Sequence, residues 1–454
     1  MIEFLMAASA SGSGKTALTC AMLEALRRRG LNPCAFKCGP DYIDPMFHRS
    51  VLEVDSHNLD LFLAEPEQVE KLYARYAQGH GASVVEGVMG FYDGLGGSTP
   101  EASAWHLADT LNLPVVLVLR PKGASLTLAA QVKGLLTFRR ESHIMGIILN
   151  DCSPMLHKSL ALMLERETGL PVLGYLPHME EARFESRHLG LLTAGEIGDL
   201  KQRIAALATQ LEQSVDLDRL FALCTRQINR DSAEKAQPRE KKTVIAVASD
   251  EAFCFLYAET LDALREAGAE LRHFSPLKDE KLPEDIGGLY LPGGYPELYA
   301  ESLSRNTSML RSIAQRVQDG LPTVAECGGF LYLGKTLEGE DGKDLPMAGV
   351  LPGEGKRQKR LVRFGYARLT AKEDSLLFRA GEEIPIHEFH YWDSTENGEA
   401  FEARKPVTGR SWECGFATPT LYAGFPHLYF AGNPRLAQRF ADAAAQYQEK
   451  QKGD

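Results

Sequence analysis

The segment Ser9-Ala10-Ser11-Gly12-Ser13-Gly14-Lys15-Thr16 constrains this chain more than any other. It stands directly between an apolar run that reads as a strand and an amphipathic run that reads as a helix. A loop that cradles phosphate needs glycines so that backbone N–H groups can converge on the anion. It also needs a lysine against the terminal phosphates and a hydroxyl for Mg²⁺. Gly12, Ser13, Gly14, Lys15 and Thr16 supply those parts, with Ser9 standing where glycine is common. A surface turn can match such a string by accident. The strand before it and the helix after it favour a phosphate site.

The rest of the first half agrees. Ile2–Ala8, Ser83–Val85, Val115–Leu119, Ile144–Leu149 and Val172–Leu176 are continuous apolar runs, as expected of strands covered on both faces of a parallel sheet. After Thr16, Leu18, Ala21, Met22, Ala25 and Leu26 make a helical stripe that Gly30 stops. The alternation predicts an α/β fold. At 228–242 it breaks: INRDSAEKAQPREKK is polar, aperiodic and contains Pro238, so it reads as a linker between a domain at 1–227 and another at 243–447. Alternation then restarts with Val244–Ala248, a helix near Tyr257–Ala267, Leu271–Phe274, Leu289–Leu291 and Thr323–Ala325.

Composition removes several classes of function. A net charge of −11 argues against sequence-independent nucleic-acid binding, which needs a cationic face. The eight cysteines form no C-x-x-C pair, so neither a zinc ribbon nor a dithiol redox site is expected, and the chain reads as reduced and cytoplasmic. No run approaches the roughly 20 apolar residues of a membrane span, and the first residues read as a buried strand, not a signal peptide.

Two further loops fit the phosphate site. Lys37-Cys38-Gly39-Pro40-Asp41-Tyr42-Ile43-Asp44-Pro45 packs a cation and two carboxylates between glycine and proline. Alone it would be a solvated turn. Glu86 follows a buried strand, with Gly87 next and Asp93-Gly94 soon after. Carboxyl ends of strands line the ligand crevice of an open α/β sheet, so a carboxylate there is placed to hold Mg²⁺.

The second half offers a nucleophile. Val324-Ala325-Glu326-Cys327-Gly328-Gly329 is a strand entering a sharp turn before Phe330-Leu331-Tyr332-Leu333. Small residues around a tight strand-to-helix turn expose a thiol and favour its thiolate. Leu291-Pro292-Gly293-Gly294-Tyr295-Pro296-Glu297 ends another strand in a Gly-rich turn. The N–H groups of Gly294 and Gly328 would form an oxyanion hole. His427, in Phe425-Pro426-His427-Leu428-Tyr429-Phe430, would be the base. Singly, Cys327 and His427 read as core residues; the paired Gly-rich turns favour catalysis. The other cysteines lack such settings and are assigned to the core.

Together these segments, with Gly39–Pro45, Phe47-His48, Ser56–Asp60, Val85–Gly94, Pro292–Glu297 and Ala325–Leu333, resemble the cobyrinic acid a,c-diamide synthase family nearly end to end. The resemblance implies a dethiobiotin-synthetase-like P-loop domain joined to a class I glutamine amidotransferase domain. It implies ATP- and glutamine-dependent amidation, with Mg²⁺, of the a and c acetate carboxylates of a corrinoid, a tetrapyrrole acid. By it, Gly12, Ser13, Gly14, Lys15 and Thr16 bind ATP, and Thr16, Glu86 and Asp41 hold the metal. Lys37, Asp44 and Asp93 belong to the synthetase site. Cys327 and His427 hydrolyse glutamine. Tyr429 stands where ordinary class I members have glutamate, leaving the group that orients His427 unidentified. Since carboxylates resist ammonia, ATP would first form an acyl phosphate. The run Lys356-Arg357-Gln358-Lys359-Arg360, with Arg363, either counters substrate carboxylates or is a solvated loop. His387-Glu388-Phe389-His390-Tyr391 matches a family motif, expected at a domain interface and not as a metal site. Domains of the dethiobiotin-synthetase type imply a homodimer. Ni-sirohydrochlorin and hydrogenobyrinic acid stay open as acceptors. A regulatory P-loop ATPase with a vestigial amidotransferase module is the rival of another class.

Overall fold

The computed structural model describes residues 1–182, 194–226 and 240–453, so most of the expected 228–242 linker lies outside the described residues. The chain divides into two compact units, Met1–Lys235 and Ala236–Asp454.

In the first unit seven strands form one sheet: β1 (Ile2–Ala8), β2 (Pro33–Cys38), β3 (Ser56–Leu59), β4 (Ala82–Glu86), β5 (Val115–Leu119), β6 (Ile144–Asn150) and β7 (Val172–Leu176). Their order is β3-β2-β4-β1-β5-β6-β7, and every pairing is parallel. Helices on both faces leave no wet side, which is why β1, β4 and β5 are apolar throughout apart from a few buried polar positions. All five strands expected from the sequence are present. β2 and β3 were not expected, because buried Lys37 and Asn58 interrupt their apolar runs.

The helix Lys15–Arg28 begins in the phosphate-type loop. The sequence predicts an apolar stripe, yet Ala17 to Leu26 are all buried. A second helix, Ala194–Ser214, packs on it through Leu200, Ile204, Leu207 and Leu211. Arg28 ties the two together, its guanidinium donating to Thr209 Oγ1 and to the Ala205 carbonyl, both at 2.9 Å. Gly30, at φ 73°, ends the helix by donating to the Arg27 carbonyl at 2.9 Å.

The second unit has a central sheet containing β8 (Thr243–Ala248), β9 (Ala269–Phe274), β10 (Gly288–Leu291) and β11 (Thr323–Glu326). Later in the chain come β12 (Thr336–Glu338), β13 (Asp344–Pro346), β14 (Glu354–Arg357), β15 (Arg363–Ala371), β16 (Glu383–His390) and β17 (Trp392–Ser394). β18 (Phe401–Arg404), β19 (Ser411–Cys414), β20 (Phe416–Thr418) and β21 (Leu421–Gly424) complete the set. The central order is β20-β21-β11-β10-β8-β9, parallel except for the β20–β21 hairpin. Two four-stranded sheets, β13-β12-β14-β17 and β16-β15-β18-β19, are additions the sequence did not reveal. Most of their strands have three or four residues, too few for a period-2 pattern to stand out.

Candidate active sites

In the first unit the loops after β1, β2 and β4 meet. Parallel register sets Lys37 directly opposite Glu86. The Lys37 ammonium donates to Glu86 Oε1 at 2.9 Å and to Asp44 Oδ2, and lies 3.8 Å from Asp41 Oδ2. Burial alone would lower its pKa; Asp44, Glu86 and Asp41 outweigh burial and hold it well above the ordinary lysine value. Thr16 Oγ1 donates to Glu86 Oε1 at 2.6 Å. Glu86 itself is buried, and burial pushes its carboxyl up to about 7 despite the lysine. Its other oxygen has no hydrogen-bond partner among the described residues.

Lys15 is buried beside them, its Nζ donating to the Met89 carbonyl at 2.6 Å. Burial and then the Lys37 charge lower its pKa. Asp93 reaches the same neighbourhood, Oδ2 accepting the Gly90 N–H at 3.0 Å. Asp41 Oδ1 accepts the N–H groups of Ile43 (2.8 Å) and Asp44 (3.4 Å), so it shapes the turn into the short helix Ile43–Phe47. The structure therefore brings together Lys15, Thr16, Lys37, Asp41, Asp44, Glu86 and Asp93. His48 was not expected there. Its Nε2 is 4.0 Å from Glu86 Oε2, and burial pushes it down to about 4, so it is neutral. Two cations face four carboxylates, and Glu86 keeps one oxygen unused. That donor set fits a divalent cation shared with phosphate oxygens. A cage of three or more acidic, His or Cys ligands is absent among the described residues.

In the second unit Cys327 follows β11 directly, with φ 49° and ψ −103°, a strained conformation for a side chain other than glycine. The six-residue helix Gly328–Leu333 follows. His427 lies in the loop after β21, and its ring is hydrogen-bonded to Cys327. The pair is tightly seated: a Cβ on Gly293 would come 2.7 Å from His427 Cε1 and 3.4 Å from Cys327 Cβ. Burial disfavours the imidazolium, but Cys327 first and Glu326 next outweigh it and raise His427 to about 10. The two glycines expected at the oxyanion are neighbours, since a Cβ on Gly328 would sit 3.1 Å from the Gly294 nitrogen. Six of the remaining cysteines are buried, as assigned, while Cys254 is half-buried.

Two other segments take on definite places. His387-Glu388-Phe389-His390-Tyr391 runs along β16 and off its end, where the His387 carbonyl accepts the His427 N–H at 2.9 Å. The motif thus braces the base, a relation that strand pairing over 40 residues hides from the sequence. The basic run is partly spent: Lys356 pairs with Asp344 at 2.6 Å, and Arg357 lies over the Trp392 ring at 5.4 Å.

A model described as a CobQ/CobB/MinD/ParA nucleotide binding domain matches residues 4–192. A CobB/CobQ-like glutamine amidotransferase domain matches residues 244–434. Cobyrinate a,c-diamide synthase of Clostridium acetobutylicum is 40% identical over 439 residues, covering 95% of this chain and 98% of that protein. The enzyme of Caldanaerobacter subterraneus subsp. tengcongensis is 38% identical over 98% of this chain and 99% of its own. That of Salmonella typhimurium is 39% identical over 97% and 98%. This chain belongs to the cobyrinate a,c-diamide synthase family. Members of the cobyrinate a,c-diamide synthase family are carbon–nitrogen ligases, and this chain carries both parts of the reaction, a nucleotide-binding domain and a glutamine amidotransferase domain. The regulatory-ATPase alternative does not account for family likeness that spans both halves. Among the described residues no helix is long and apolar enough to cross a membrane.

Proposed function

We propose that this chain amidates the a and c acetate carboxylates of cobyrinic acid, using ATP, Mg²⁺ and glutamine. The observation that carries the reading is the pairing, in one chain, of a buried lysine framed by carboxylates beside a phosphate loop with a Cys327–His427 contact beside two glycine amides. Gly12, Ser13 and Gly14 offer backbone N–H groups to the ATP phosphates, and Lys15 and Lys37 offset charge on the transferred phosphoryl group. Thr16 and Glu86, with Asp41, hold the metal, which supplies charge neutralisation at the phosphates. Asp44 and Asp93 fix Lys37 and the Gly90 turn around the acceptor carboxylate. An oxygen of that carboxylate attacks the γ-phosphorus of ATP and ADP departs, giving an acyl phosphate whose carbonyl carbon ammonia attacks with release of phosphate. Cys327 Sγ attacks the glutamine amide carbon, the Gly294 and Gly328 amides receive the oxyanion, and His427 gives its proton to the departing ammonia; water then cleaves the glutamyl thioester, releasing glutamate and restoring the thiol.

The test uses wild type and Cys327→Ala with ATP, Mg²⁺ and cobyrinic acid, Ni-sirohydrochlorin or hydrogenobyrinic acid, reading product masses. Wild type should convert two carboxyls of cobyrinic acid to amides with either nitrogen source, and Cys327→Ala with ammonia only. Conversion of Ni-sirohydrochlorin or hydrogenobyrinic acid alone would replace the proposed acceptor. No amidation of any acceptor would end the reading.

A further inference from the structure

The position two residues after His427 is Tyr429, which is buried and packs edge-on against Tyr257, ring centroids 5.1 Å apart. An imidazole that exchanges a proton with a thiol still needs its other nitrogen held, or the wrong tautomer and ring orientation compete. We propose that Glu326, the residue immediately before the nucleophile, is the positioning residue that holds His427 for glutamine hydrolysis. This rests on the amidotransferase reading above.

Glu326 closes β11 and stands opposite Gly424 of β21, from which the chain turns back through Phe425 and Pro426 to His427. Strand alternation sends Val324 and Glu326 to one side of the sheet, where Val324 packs with Tyr290, Tyr422 and Leu428. The left-handed backbone at Cys327 then turns the next side chain to the same histidine. Glu326 is 1% exposed. Its Oε2 is 3.7 Å from His427 Nδ1 and accepts the Tyr290 hydroxyl at 3.2 Å, while Oε1 accepts the Leu428 N–H at 3.2 Å. One carboxylate therefore addresses both the ring and the main chain just after it. The 3.7 Å separation is of ion-pair length, and such contacts tighten when substrate fills a site.

The other groups facing His427 do not compete for this role. Cys327 takes the reacting side. On β16, burial pushes His387 down to about 3 and His390 down to about 4, so both are neutral, and His387 contributes its carbonyl. Glu388, raised to about 7 by burial, has its contacts with His390 and the charge of Arg363.

Glu326→Gln keeps the shape and can still accept from Leu428, but it removes the charge. With glutamine as donor, kcat/KM should fall by about 10²–10³-fold, mostly in kcat. Ammonia-dependent amidation should stay within about twofold. Loss of the carboxylate lowers the His427 pKa, so the alkaline limb of the glutaminase profile should move to lower pH. Glu326→Asp should restore part of the rate. A Glu326→Gln enzyme with wild-type glutamine turnover and an unshifted profile overturns the proposal alone. So does a loss accompanied by a collapsed melting midpoint with the alkaline limb of the glutaminase profile unmoved, which is a structural role. Wild type that releases no glutamate from glutamine overturns the amidotransferase reading, and this proposal with it.

Discussion

Lys37 is the residue on which the first unit's charges balance. It is buried, and the carboxylates of Asp44 and Glu86 depend on it. Lys37→Met should therefore destabilise that unit by about 3–5 kcal/mol in urea unfolding, the cost of stranding buried charge. It should also abolish amidation with ammonia. Gly293 is the counterpart in the second unit. Gly293→Ala would bring its Cβ to 2.7 Å from His427 Cε1, so the ring must shift away from its contacts with Glu326 and Cys327. Glutamine-dependent turnover should drop by about 10²-fold with ammonia-dependent turnover unchanged, as steady-state assays with each donor would show. Lys15, Thr16 and Cys327 are readable in the sequence because their neighbours along the chain create their chemistry. Glu326 and His48 are not. Their significance comes from partners brought near by parallel pairing, His427 about 100 residues away in one case and Glu86 about 40 in the other.

β16 shows how much an element can carry unseen. It alternates buried Ile384, Ile386, Glu388 and His390 with more exposed positions, yet the polar buried pair disguises the pattern. His390 stacks flat on Phe425, centroids 3.7 Å apart, and its Nδ1 is 2.6 Å from the Trp392 carbonyl. Burial holds His390 at about 4 and His387 at about 3, both below the ordinary 6.5. The unfolded chain then binds more protons than the folded one between those values and 6.5. Their contribution to stability is complete above pH 6.5 and is lost as pH falls below it. Glu388, raised to about 7, works in the opposite sense, so the clean measurement is a difference. Between pH 7 and 5, His390→Phe should lose less unfolding free energy than wild type, by about 2 kcal/mol. Equal losses in the two proteins would contradict this. Long apolar strands such as β1 and β5 were legible because nothing functional interrupts them. Short strands such as β12, β13, β17 and β20 were not, because a three-residue strand is defined by its partner.

At the scale of the molecule, two compact units each bury their own core. Denaturant unfolding should show two transitions, and Mg²⁺-ATP should shift only the one belonging to Met1–Lys235, by about 2.7 kcal/mol at 100 times Kd. A uniform shift of both would mean they unfold as one. The first unit's sheet has a consequence in time. Its centre, β1, leaves the ribosome well before its neighbours, which pair with it through Ala82–Glu86 and Val115–Val118. More than a hundred further residues must be translated before both edges of that strand are covered. At ordinary elongation speeds this leaves an apolar, unpaired segment waiting for several seconds or longer. Parallel, non-local pairing is also slow to form once the residues exist. The phosphate-type loop after β1 is thus made well before the sheet that positions it, and nascent chains of this protein should depend on chaperones until β5 has emerged.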